Sequence, residues 1–232
     1  MAVFVLVHGS MHGSWCWDDV RQHLEAMGHL VLAPDLPGRP GNPALRETCT
    51  LTTNAAYVAS IIEQCDAPVI LVGHSAGGVV ISAVAELMPE RIARLAYVAA
   101  LLLPEGEAFA QYVAPMPISM TPDQTGILVS DAAAAIEWMY NRSDPQTAAQ
   151  AASRLVPETI LGFHPPLRTT AERFGTVPRA YVACTSDRAV PIEGQRHMCA
   201  VLPCDPYIEL DTDHSPWLSS AEELAFILGR LA

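Results

Sequence analysis

The chain has 232 residues, half of them hydrophobic and 16% charged, with 25 acidic against 13 basic side chains. That composition suits one globular domain rather than a disordered chain, and a net charge of −12 argues against nucleic acid, whose phosphates are held by Lys and Arg. All 13 basic residues are Arg, so Schiff-base chemistry, a lysine general base and a phosphate-loop lysine are excluded together.

In chain order, short apolar runs alternate with segments of helical period. Phe4–His8 reads as a first strand and Trp17–Met27 as a helix; His29–Ala33 is a second strand and Asn54–Cys65 a second helix. Val69–Gly73 leads into a helix at Ala76–Met88, and Arg94–Ala99 is a fourth strand. After a long interval come strands at Arg179–Cys184 and Tyr207–Leu210, separated by a helix at Glu193–Leu202. A last helix follows at Ala221–Leu231, where Ser219 and Glu222 have capping-box spacing. This rhythm predicts the α/β class, with a mostly parallel six-stranded sheet and helices on both faces.

The interval, residues 104–164, is too long for a structureless loop. It holds seven acidic residues and two Arg, helical segments at Ala132–Tyr140 and Thr147–Leu155, and the apolar residues Phe109, Tyr112, Met116, Met120, Trp138, Met139 and Tyr140. We expect an inserted helical cap, a lid over a core formed by residues 1–103 and 165–232, with Met116 and Trp138 among the substrate-binding residues. The N terminus lacks a basic segment before its first apolar run and so does not read as a secretory signal. Apolar runs such as Ala96–Pro104 fall short of the roughly 18–20 residues that cross a bilayer. A cytoplasmic protein with no membrane contact is expected. Its six cysteines, lacking CxxC spacing, are expected to be reduced and mostly buried.

The segment VILVGHSAGGVV at residues 69–80 places Gly73-His74-Ser75-Ala76-Gly77 between an apolar strand and a helix. In that context Gly-x-Ser-x-Gly is a nucleophile elbow, a sharp turn that lifts a serine above the carboxyl edge of a sheet and leaves room only for small neighbours. Ser75 is the candidate nucleophile. A serine hydroxyl needs a base, and the base needs an orienting carboxylate. With the chain order Ser, Asp, His, the loops after the last two strands supply Asp187 in TSDRAVP and His214 in DTDHSP. His74 sits too close to the nucleophile for a base, and Asp211 and Asp213 sit too close to His214 to reach round to its ring. The oxyanion of an acyl-transfer intermediate needs two donors. The N–H of Ala76 is one; the loop after the first strand, His8-Gly9-Ser10-Met11-His12-Gly13-Ser14-Trp15, offers the N–H of Ser10, with Gly9 allowing close approach. His12 and Trp15 are expected to shape or line the substrate pocket. No metal-site spacing occurs, and neither a metal nor a cofactor is expected.

Four segments, FVLVHGSMHGSWCW, VLAPDLPGRPG, VGHSAGG and the stretch Arg179–His214, resemble the α/β-hydrolase superfamily, and within it the branch of plant methylesterases and hydroxynitrile lyases with their bacterial esterase relatives. The resemblance implies the α/β-hydrolase fold, a triad of Ser75, Asp187 and His214, an oxyanion hole from Ser10 and Ala76, and a helical cap. In that branch cyanohydrin cleavage goes with a threonine after the first-strand His and a lysine after the catalytic His; this chain has Gly9 and Ser215 there, and no lysine at all. An esterase is therefore expected, acting on a small, neutral, hydrophobic or aromatic ester. The rival readings are a lyase or other tailoring enzyme, an amide or carbamate hydrolase, and a ligand-binding receptor on the same fold. The small-molecule ester is the only partner the sequence indicates; a homodimer is left open.

Overall fold

The computed structural model describes residues 1–105, 107, 111–113, 118–120, 127–159 and 167–232. From the N terminus the elements are β1 (Val3–Val7), α1 (Asp18–Ala26), β2 (Leu30–Leu32), α2 (Leu51–Glu63), β3 (Val69–His74), α3 (Gly77–Leu87) and β4 (Ile92–Val98). Then follow β5 (Ile118–Met120), β6 (Ile127–Ser130), α4 (Ala132–Met139), α5 (Pro145–Ser153) and β7 (Glu158–Thr159). The chain closes with β8 (Arg179–Cys184), α6 (Ile192–Val201), β9 (Tyr207–Leu210), α7 (Pro216–Ser219) and α8 (Ala221–Gly229).

The main sheet has six parallel strands in the order β2-β1-β3-β4-β8-β9. Successive side chains of a strand go to opposite faces, and here both faces are covered, so all six residues of β3 are buried. Val5, Val7, Leu71, Tyr97 and Tyr181 meet Val58, Ile62, Val84 and Met198 from α2, α3 and α6 on one side. Phe4, Leu6, Ile70, Val72 and Val98 meet Val20, Leu24, Leu224 and Leu228 from α1 and α8 on the other. Parallel register brings the carboxyl ends level, with Val7 beside Gly73 and His74 beside Val98. Open parallel sheets bind ligands along that edge.

Three local departures from the sequence expectation have physical causes. Helix α2 starts at Leu51 rather than Asn54, because Thr50 and Thr53 cap each other's backbone N–H reciprocally. The capping box expected from Ser219 and Glu222 is not made: Ser220 caps α8 without a side-chain bond, and Ser219 Oγ donates instead to Asp213 Oδ1 at 2.8 Å. Between β4 and β8, α4 and α5 form as expected, capped by Asp131 and Asp144. The same region also contains the antiparallel sheet β5-β6-β7, whose strands of three, four and two residues are too short for alternation to reveal.

Among the described residues no helix is long and apolar enough to cross a membrane. Cys16, Cys49 and Cys184 are buried, whereas Cys65, Cys199 and Cys204 are half-buried, fewer in the core than expected.

Candidate active site

Ser75 sits at the sharp turn between β3 and α3 with φ +52°, in the left-handed region that a side chain normally avoids. The turn is held from both sides: Ser75 N–H donates to the Val98 carbonyl at 3.2 Å, and the Ser75 carbonyl accepts from the N–H groups of Gly78 and Leu101 at 3.0 and 2.9 Å. The small neighbours are obligatory. A Cβ on Gly73 would stand 2.8 Å from the Gly77 carbonyl oxygen, and one on Gly77 would stand 2.7 Å from that of Val7.

His214, in the loop after β9, places Nε2 3.0 Å from Ser75 Oγ, and its Nδ1 lies 2.8 Å from Asp187 Oδ2 in the loop after β8. Asp187 Oδ1 also accepts from the N–H groups of Ala189 and Val190, both at 2.8 Å, and Oδ2 accepts from Gln195 Nε2 at 3.1 Å. Among the described residues every partner of this carboxylate is therefore a donor. That puts the ring proton of neutral His214 on Nδ1 and turns the Nε2 lone pair toward the serine. The geometry can withdraw the Ser75 proton as the oxygen attacks.

His74 serves this arrangement from behind. Its Nε2–H donates to the backbone carbonyl of His214 at 2.7 Å, and the two rings lie 4.8 Å apart. Burial is the main cause that holds His74 well below the ordinary histidine range, so its ring is neutral. Asp213, the rejected rival acid, is fully buried and engages groups other than the His214 ring. It accepts from Ser215 N–H, Ser219 Oγ and the backbone N–H of Arg142 at 3.1, 2.8 and 2.7 Å, tying the His214 loop to the turn between α4 and α5.

The loop after β1 lies against the serine: a Cβ on Gly9 would stand 2.8 Å from Ser75 Cβ. Five consecutive carbonyls of this loop are engaged. Those of Gly9 and Ser10 accept from Nδ1–H of His8 (2.9 Å) and His12 (2.8 Å), that of Met11 from Val156 N–H (2.9 Å), that of His12 from Arg39 Nε (2.5 Å), and that of Gly13 from Cys16 N–H (3.2 Å). The His8 tautomer is forced, because Nε2 accepts the Leu36 N–H at 3.1 Å. Burial, the largest influence, pushes His8 well below its usual range and His12 down to about 3. In a trans peptide the N–H opposes the C=O, so fixing the Gly9 carbonyl fixes the direction of the Ser10 N–H. Among the described residues neither the N–H of Ser10 nor that of Ala76 donates to a protein acceptor.

The residues expected to bind substrate divide. Gly9 abuts Ser75. His12 is 1% exposed, its Nε2 accepts from Tyr140 Oη at 2.7 Å, and it borders a cavity lined also by Trp15, Arg39 and Arg154. Trp15 is half-buried, edge-on to Trp217, with the Arg154 guanidinium 4.4 Å above its ring. Trp138 is half-buried against the core layer that holds α1 and α8. Met116 lies outside the described residues. Sequence reasoning missed Gln195, Tyr140 and Glu158, none of which belongs to a local motif, and Arg39, which lies in the segment VLAPDLPGRPG without a role that the segment itself suggests.

The sequence matches the alpha/beta hydrolase family over residues 4–225. It is 32% identical to Methylesterase 7 of Arabidopsis thaliana, over 99% of this chain and 95% of that protein. It is 30% identical to salicylic acid-binding protein 2 of Nicotiana tabacum, over 99% and 95%. The fold is similar to that of polyneuridine aldehyde esterase, with TM-score 0.88, 25% identity and 98% of both chains covered.

Proposed function

The chain belongs to the alpha/beta hydrolase family, and on that premise we propose that it is a serine esterase that cleaves a small carboxylic ester through an acyl-enzyme. The observation that carries the reading is the contiguous line Asp187–His214–Ser75, with spacings of 2.8 and 3.0 Å, beside two backbone N–H groups that donate to no protein acceptor among the described residues. In the first half-reaction Ser75 Oγ attacks the ester carbonyl while His214 Nε2 takes its proton. The oxyanion accepts from the N–H groups of Ser10 and Ala76, and the protonated His214 returns the proton to the departing alkoxide. Water then attacks the acyl-enzyme with His214 again as base, releasing the acid and restoring Ser75.

A neutral, hydrophobic or aromatic acyl group is supported by residues 104–164, which are rich in Met and aromatic residues and carry only two Arg. A small alcohol is supported by the relatives, several of which are named methylesterases. Residues 104–164 are the cap in this reading, and the protein acts as a cytoplasmic enzyme without cofactor. The test is Ser75→Ala with p-nitrophenyl acetate and a panel of methyl esters. Turnover should fall by about 10⁴-fold or more with unchanged circular dichroism, and the wild type should release acid and alcohol in equal amounts. Wild-type turnover in the variant, or a product other than acid and alcohol, overturns the proposal.

A further inference from the structure

Arg39 and Glu158 are both buried, at 4% and 5% exposure, and stand 119 residues apart in sequence. Arg39 follows β2; Glu158 is the first residue of β7, in the segment between β4 and β8. Their side chains form a two-pronged ion pair, Nη1 with Oε1 and Nη2 with Oε2. A pair removed from water is held at a desolvation cost and is weak evidence of stability for its own sake, so its remaining contacts show what it does.

Apart from the Thr159 N–H, which donates to Glu158 Oε1 at 3.0 Å, those contacts among the described residues fall on one loop. Glu158 Oε2 accepts the Met11 N–H at 3.4 Å, Arg39 Nε donates to the His12 carbonyl at 2.5 Å, and two residues before Glu158 the Val156 N–H donates to the Met11 carbonyl at 2.9 Å. Met11 has φ +61°, a conformation a non-glycine residue holds only where its surroundings impose it. Met11 N–H belongs to the peptide that follows Ser10, whose carbonyl is tied to His12. The peptide that precedes Ser10 is tied to His8. The orientation of Ser10 is thus set on one side by the core and on the other by Glu158.

We propose that Arg39 and Glu158 are a positioning pair through which the segment between β4 and β8 holds Met11 in its left-handed conformation and so aims the Ser10 N–H at the oxyanion. This rests on the esterase reading. Loss of the pair lets Met11 relax to an ordinary backbone conformation, turning the Ser10–Met11 peptide and shifting Ser10, so that its N–H, though still oriented through the Gly9 carbonyl by His8, moves away from the oxyanion. The ground-state ester makes little use of that donor, whereas the tetrahedral intermediate depends on it.

The test compares wild type, Glu158→Gln and the double variant Arg39→Met/Glu158→Leu, which replaces the ion pair with apolar side chains and leaves no unpaired buried charge. The double variant should fold and keep KM for a p-nitrophenyl ester within about threefold. Its kcat should fall by about one to two orders of magnitude, short of the roughly 10²–10³ for outright loss of a donor. Glu158→Gln, which keeps one amide oxygen as acceptor, should fall between. Inhibition by an aryl trifluoromethyl ketone, which adds to the serine and presents an oxyanion, should weaken in proportion to kcat. A folded double variant with wild-type kcat, or a loss confined to KM, overturns the proposal and leaves the esterase reading standing. A wild type that hydrolyses no ester and is not labelled by a fluorophosphonate overturns both.

Discussion

Replacing Gly9 by alanine is the smallest change that tests how the loop after β1 and the serine turn fit together. An added Cβ would stand 2.8 Å from Ser75 Cβ, 3.0 Å from His74 Nδ1 and 3.2 Å from the His74 carbonyl oxygen. None of these can yield readily. Ser75 is clamped by three backbone hydrogen bonds, and His74 is fixed through its Nε2–H to the His214 carbonyl. Ordinary carbon contacts begin near 3.6 Å, so the loop must retreat by about 0.8 Å. A donor that served an oxyanion at about 2.9 Å then lies near 3.7 Å, outside hydrogen-bonding range. The expected loss is that of one oxyanion donor, roughly 10²–10³ in kcat or about 3–4 kcal/mol, with about 1–3 kcal/mol of overpacking cost in stability. The assay is kcat and KM for a p-nitrophenyl ester beside urea denaturation. Gly194→Ala is the control, since its Cβ would meet Tyr112 no closer than 3.5 Å, inside helix α6. A folded Gly9→Ala protein with kcat within about threefold of wild type would falsify the close-approach argument and the place given to Ser10.

Two further outcomes follow from the buried polar groups. Asp187→Asn should lower kcat by about 10⁴: the four partners of Asp187 among the described residues are donors, so either orientation of the amide sets its NH2 against two of them. Steady-state kinetics on folded variant checks this, and a loss under tenfold contradicts it. Burial holds His8, His12 and His74 below the ordinary range, His12 at about 3. Their unfolded counterparts titrate near 6.5 and bind protons that the folded rings refuse. Stability should therefore fall as the pH drops from about 6.5 toward about 3, by up to about 1.4 kcal/mol per pH unit for each ring. Urea midpoints between about pH 7 and pH 5 check the slope, and His12→Asn should flatten it; a slope unaffected by that change refutes the assignment.

The main sheet was legible because each of its strands is an apolar run against a helical period, and Gly73-His74-Ser75-Ala76-Gly77 was legible because the turn's steric demand is written into adjacent residues. Asp187 and His214 could be found because each follows directly on a strand end, a position the chain order specifies. The supporting groups carry no such mark. Gln195 reaches Asp187 from inside α6, where sequence shows only a polar residue on a helix. Arg39 and Glu158 meet across 119 residues, a pairing that no local pattern encodes. Ser219 shows the opposite failure: its spacing to Glu222 satisfied a capping motif, but the buried carboxylate of Asp213 competed for the hydroxyl and won. The β5-β6-β7 sheet escaped because its strands are shorter than one readable period.

Strand β9 closes the main sheet on one margin, bonded among the described strands to β8 alone, yet the loop it delivers carries His214, while Ser75 rises from β3 in the interior. Fraying at that margin would withdraw the imidazole while the central strands stay paired, and local openings of this kind need less free energy than global unfolding. Heat or denaturant should then silence the enzyme before its circular dichroism changes, so that residual activity reports on the most peripheral strand and not on the bulk of the protein.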